Sequence, residues 1–126
     1  LTEGKDVTII ANGHLVWEAL EAHNSLSKIG INAEVINFAT IKPLDLSTLL
    51  KSAKKTGRVV TAEEHQKNGG LGDSVAQALA LNNPCPMEIV GVNDSFGESG
   101  KPDQLMKKYG LDSPAIVDAV KSVLKR

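Results

Sequence analysis

Arg58-Val59-Val60-Thr61-Ala62-Glu63-Glu64-His65, with Gly69-Gly70-Leu71-Gly72 close behind, is the stretch whose reading decides the fold. It opens as an apolar, β-branched run, the signature of a buried strand. It then turns polar and glycine-rich and passes into an apolar repeat of helical period from about Leu71 to Leu81, stopped by Asn82-Asn83-Pro84. A buried strand feeding a helix through a short polar turn is half of a βαβ unit, and the remaining sequence repeats that unit in both directions.

Upstream, Val7-Thr8-Ile9-Ile10-Ala11 reads as a strand ending at Asn12-Gly13. Leu15, Ala19, Ala22, Leu26 and Ile29 then follow at spacings of four and three as one apolar helical stripe, with Gly30 as its C-terminal cap residue. Ala33 to Phe38 reads as the next strand. Asp45 is the expected N-cap of a helix carrying Leu46, Leu49, Leu50 and Ala53; Lys54 and Lys55 sit in its last turn, where they favour the helix dipole, and Gly57 ends it. Downstream, Met87 to Val92 is a fourth strand, the segment after Pro102 a short helix ended by Gly110, and the last helix is expected to start with Ser113 as cap and Pro114 at its first position. Its buried stripe is Ile116, Val117, Val120, Val123 and Leu124. Strands that are near-continuous apolar runs and alternate with helices predict a parallel sheet covered on both faces, a three-layer α/β/α domain.

The bulk numbers fit one such domain. The chain has 126 residues, 41% of them apolar and 23% charged, and a formal net charge of -1. No basic block points to nucleic acid or a membrane surface, and no apolar run approaches the ~20 residues of a membrane helix. The first residues have no signal-peptide or transit-peptide character, and the chain, starting on Leu1, is read as a piece of a longer one. Cys85 is the single cysteine, lies between two prolines and is read as an inert thiol; a reducing, cytoplasmic setting suits this composition.

In open α/β sheets ligands bind beyond the carboxyl ends of the strands, at the point where strand order reverses. Four segments compete for that place: Asn12-Gly13-His14, Thr40-Ile41-Lys42-Pro43, Glu63 to Gly72, and Asn93 to Gly100. Glu63, Glu64 and His65 have the residue types of acid/base chemistry, because neighbouring carboxyls and an imidazole push one another's pKa values apart. They are equally the residues of a helix cap, a lysine pair or a domain interface. Gly69, Gly70 and Gly72 precede a helix whose N–H groups could cradle an anion, yet they match neither a dinucleotide fingerprint nor a P-loop, and a tight turn needing positive φ explains them as well. His14 and His23 read as surface or boundary residues of a packed helix. Trp17 falls between the stripes of the first helix and is expected to cover a groove shared with another domain. No nucleophile–base–orienter triad, metal-ligand spacing or cofactor fingerprint emerges.

Four motifs in order nevertheless carry a family resemblance: Asp6 to Gly13; Ala33 to Phe38 with Ile41-Lys42-Pro43-Leu44-Asp45; Thr61 to His65 with Gly69 to Gly72; and Ser99-Gly100-Lys101-Pro102 with Leu105 and Tyr109-Gly110-Leu111. Together they resemble the C-terminal domain of transketolase almost end to end. Parts are shared with 1-deoxyxylulose-5-phosphate synthase and with the β subunits of 2-oxoacid dehydrogenase E1 components. The resemblance implies a mostly parallel, doubly wound sheet with strand order 2-1-3-4 and an antiparallel edge strand mostly upstream of Leu1. It also implies a parent enzyme that moves a two-carbon ketol unit between sugar phosphates in the pentose phosphate pathway. Thiamine diphosphate and Mg²⁺ would be bound by the N-terminal and middle domains, or by a separate subunit, across a homodimer. On that footing residues 1–126 are one structural, interfacial domain, inactive alone and lacking catalytic, cofactor-binding and metal residues of its own. His14, Glu63, Glu64, His65, Gly69, Gly70 and Gly72 are its candidate interface or anion site. The opposing expectation is a module binding a small anion or nucleotide-like regulator at the switch point. The resemblance further implies an open edge at Ala33 to Phe38 and a contiguous apolar docking patch.

Overall fold

The structure, a computed structural model, describes residues 2–13, 15–37, 46–66, 71–92 and 112–126, with backbone alone at 64–66 and 92. Four strands, β1 (Val7–Ala11), β2 (Ala33–Asn37), β3 (Val59–Gln66) and β4 (Met87–Val92), form a parallel sheet in the order β2-β1-β3-β4. Helices α1 (Leu15–Ser27), α2 (Leu46–Thr56), α3 (Leu71–Asn82) and α4 (Ser113–Leu124) cover it. The expected helix between Pro102 and Gly110 lies outside the described residues, as do Phe38 and the Asp45 cap.

Both faces of the sheet are dry, which is why the strands read as unbroken apolar runs. Val7, Ile9 and Ala11 of β1 point with Val35, Val60, Ala62 and Val90 into a cluster closed by α1 and α4. Ile10, Ile36 and Val59 point the other way, against Leu49 and Ala53 of α2 and Leu71, Val75 and Leu79 of α3. α1 thus lies on one face and α2 and α3 on the other. The chain leaves β1 towards β2 and β3 towards β4, so the switch point falls between the C-terminal ends of β1 and β3.

The α1 stripe holds at Leu15, Ala19, Ala22 and Leu26 but not at Ile29, which is 56% exposed because the helix has ended before it. Gly30 and Gly57 have φ of 81° and 73°, the left-handed turns that close α1 and α2. The α4 stripe is buried at Ile116, Val120 and Val123, with Val117 and Leu124 only partly covered. Its cap is one residue earlier than expected. Asp112, in extended conformation, accepts from the Ala115 N–H at 3.2 Å, while Ser113 already belongs to the helix. β3 runs past the expected Ala62 to Gln66. Four residues advance on β3 between Ala62 and Gln66 against two on β4, a bulge in the stretch that holds Glu63, Glu64 and His65.

Neither interface expectation holds among the described residues. β2 is an edge strand, but Thr2 to Asp6 lie along it, so that edge is not open. The contiguous apolar patch does not appear among the described residues. Their large exposed apolar side chains are Trp17, Ile29 and Leu81. Trp17 and Ile29 are separated by the length of α1, and Leu81 is on α3 across the sheet.

Candidate functional site

Glu63 is the centre of the switch-point edge. Strand alternation sends its side chain to the α2/α3 face, directly under the start of α3. It is 1% exposed. One carboxylate oxygen accepts the Leu71 N–H at 2.7 Å and the other the Gly72 N–H at 3.3 Å. A buried carboxylate is costly unless held by donors, and the first N–H groups of a helix are donors without intrahelical partners at the positive end of its dipole. The pairing satisfies both sides. It also means that the anion at this helix N-terminus is the protein's own, and an added phosphate or carboxylate would meet a negative charge there.

Gly72 serves the same junction for a reason other than the expected positive φ. Its φ is not among the left-handed values. A Cβ there would stand 2.9 Å from Ile89 Cγ2 and 3.0 Å from Cδ1. Gly72 lets α3 sit down on β4, which brings the helix start within reach of Glu63. Of the remaining expected site residues, His14, Gly69 and Gly70 lie outside the described residues. Glu64 and His65 are described by backbone alone, at the bulge of β3 beside Glu63. Among the described residues, no group of three or more His, Cys, Asp and Glu gathers as a metal site. Cys85 is half-buried, burial pushes its thiol pKa up, and it is no nucleophile near neutrality.

A second polar centre, absent from the sequence reading, lies at the opposite end of the sheet. Glu34, 9% exposed, accepts from Ser52 Oγ and from Lys55 Nζ, both on α2. Ser52 Oγ lies 2.7 Å from Thr8 Oγ1, which lies 2.8 Å from Thr56 Oγ1; Thr56 donates to the Arg58 carbonyl at 3.0 Å. Ser52 and Thr56 have spent their protons on Glu34 and Arg58, so the single Thr8 proton serves both of its neighbours. Burial pushes the Glu34 carboxyl up. The hydrogen bonds from Lys55 and Ser52, the Lys55 charge and the Gly4 N–H outweigh it and hold the pKa below the ordinary value. The sequence did hold a signal: Ser52 and Thr56 are four apart on the apolar side of α2, and Thr8 interrupts an apolar strand. On the same face as Glu63, Thr61 is fully buried and its hydroxyl finds no partner among the described residues.

The site is therefore a strand–helix junction in which the Glu63 carboxylate is committed to the backbone donors of α3. The family model for the C-terminal domain of transketolase matches residues 1–116. This chain belongs to that family. It is 50% identical over 126 residues to a 6-deoxy-6-sulfo-D-fructose transketolase subunit, SqwH, of Clostridium sp. (strain MSTE9), covering 100% of this chain and 39% of the relative. It is 44% identical over 127 residues to a putative transketolase C-terminal section of Methanocaldococcus jannaschii, covering 100% of this chain and 39% of that one. Among solved structures, a split-gene transketolase described as an inactive β4 tetramer superposes with a TM-score of 0.93 at 50% identity, over 98% of this chain and 41% of its own. The transketolase C-terminal domain chain thus spans about two fifths of the length of these relatives.

Proposed function

We propose that this chain is the C-terminal domain of a split transketolase subunit. Its work is to hold the catalytic domains together rather than to carry chemistry. The observation that carries this reading is the match of 98% of the chain, at 50% identity, to a split-gene transketolase described as an inactive β4 tetramer. The subunit and C-terminal-section relatives support the split arrangement. In this reading the parent transfers a two-carbon ketol unit between sugar phosphates, in the pentose phosphate pathway, as a cytoplasmic homodimer of paired subunits. Its chemistry comes from thiamine diphosphate, whose diphosphate is anchored through Mg²⁺. The described residues do not fit that group. A diphosphate–Mg²⁺ site needs free carboxylates and free helix N-terminal donors. Glu63 and the α3 amides satisfy one another, and Glu34 is held by Lys55 and Ser52. The cofactor is therefore assigned to the other domains, and the Glu63–Gly72 junction to the support of an interface.

The decisive experiment is calorimetric titration of thiamine diphosphate with Mg²⁺ into the 126-residue chain, and into the chain combined with the complementary transketolase domains. Binding and ketol transfer in the combination, with neither in the chain alone, is the expected result. Tight Mg²⁺-dependent binding by the chain alone would refute the proposal.

A further inference from the structure

We propose that Glu34, Ser52, Thr8 and Thr56 form a hydroxyl row that reverses direction when Glu34 takes up a proton, so that α2 stays fastened to the sheet in both protonation states. The proposal rests on the contacts of these residues alone and stands whatever the parent enzyme does.

The row joins β1, β2 and α2. Thr8 and Glu34 are register partners on neighbouring strands, and Ser52 and Thr56 lie one turn apart on the helix above them. Four contacts link the groups in order. Glu34 Oε2 meets Ser52 Oγ; Ser52 Oγ meets Thr8 Oγ1 at 2.7 Å; Thr8 Oγ1 meets Thr56 Oγ1 at 2.8 Å; Thr56 Oγ1 meets the Arg58 carbonyl at 3.0 Å. All three hydroxyl residues are buried, Thr8 completely. With no bulk water to make up a deficit, protons can be counted against contacts.

With Glu34 ionised the count fails by one. The carboxylate and the carbonyl only accept, so three hydroxyl protons serve four contacts. Whichever way the hydroxyls turn, one close oxygen pair has no proton between its members. A proton taken from water onto Glu34 Oε2 closes the count. Glu34 then donates to Ser52, Ser52 to Thr8, Thr8 to Thr56, and Thr56 to the Arg58 carbonyl. Only O–H bonds rotate, and the aligned hydroxyls polarise one another favourably.

The proton belongs on Oε2 because Oε1 is taken. Lys55 Nζ donates to Oε1, and the Gly4 N–H joins it at 3.5 Å. Lys55 is the charged group that meets this carboxyl. Glu3, Lys5 and Asp6 before β1, and Lys51 and Lys54 on α2, form no hydrogen bond or ion pair with it among the described residues. β1 brings the uncharged Thr8, and Arg58 meets the row with its carbonyl. Lys55 thus favours the charged carboxyl and the hydroxyl row the neutral one. Acid weakens the Lys55 pair and completes the row, and α2 keeps its hold on β1 and β2.

Carbon-13 titration of the Glu34 carboxyl in the folded 126-residue chain tests the row. Thr8→Val and Thr56→Val each keep the side-chain shape, and neither threonine hydrogen-bonds to Glu34. Each removes one hydroxyl and two contacts, which balances the count in the ionised state. Proton binding by Glu34 is expected to weaken about fivefold in either variant, the worth of one ordinary hydrogen bond. In the natural chain the Cβ signals of Ser52 and Thr8 should move with the Glu34 midpoint, because their hydroxyls turn there; this reading needs no variant. Amide protection of α2 should persist through that midpoint. Unchanged proton affinity in a folded variant, Ser52 and Thr8 signals that ignore the Glu34 midpoint, or selective loss of α2 protection across it would each overturn the proposal.

Discussion

Glu63 is held by two amides and gives up nearly all its exposure to reach them, so its value lies in the pairing. Glu63→Gln keeps the size and one acceptor but leaves one N–H at the start of α3 unpaired and removes the charge that the helix dipole favours. A loss of about 1–3 kcal/mol in urea denaturation is expected. A change within ~0.5 kcal/mol would show that water replaces the carboxylate. Glu34 makes a different prediction. Its folded pKa lies below its unfolded value of about 4.3. The stability it contributes is thus complete above the unfolded pKa and is lost as pH falls through the folded one. The thermal midpoint of the natural chain should therefore fall below about pH 4.3 more steeply than that of Glu34→Gln; parallel curves would mean that Lys55 and Ser52 do not stabilise the charged form. Neither role could be read from residue type alone. Glu63 was visible as a carboxylate at the right edge of the sheet, with capping among its uses. Glu34 hid as an ordinary polar residue in a strand, because its partners lie on α2 and at Gly4.

Elements were far more legible than contacts, since each element is fixed by local periodicity. The four strands and helices α1 to α4 follow from the spacing of residues such as Ile9, Leu26, Val60 and Val120, whereas the strand order was implied by the family resemblance and not by any spacing. The departures occur where a non-local partner decides. Charged residues prolong β3 to Gln66 because β4 continues beside it to Val92. Thr2 to Asp6 have no strand pattern and still cover β2 with side-chain and backbone bonds. The start of α4 is a smaller case, in which two adjacent cap-forming residues compete. Asp112 holds the cap, while the Ser113 N–H goes to Glu18 of α1 at 2.8 Å. Asp112→Ala should cost about 1 kcal/mol and Ser113→Ala only a few tenths, compared as urea midpoints at constant m. Equal costs would mean that both hydroxyl and carboxylate share the cap.

At the scale of the molecule, both faces of the sheet are already buried by the chain's own helices, so an interface with other domains must use helix surfaces, loops or edges. α1 presents the clearest mark. Trp17 is the single tryptophan and is 64% exposed on the side of α1 away from the sheet. Trp is a favoured anchor at the centre of protein interfaces, and an exposed one costs little to replace in the free chain. If the proposed role is right and α1 faces the complementary domains, Trp17 fluorescence in the isolated chain should be that of a hydrated indole. It should shift to shorter wavelength when those domains are added. Trp17→Ala should leave the urea midpoint of the free chain within ~0.5 kcal/mol and weaken association by more than about 1 kcal/mol, roughly fivefold or more in Kd. An unshifted spectrum in an assembled, active complex would move the interface off α1 and onto the switch-point edge, where Glu63 fixes the start of α3.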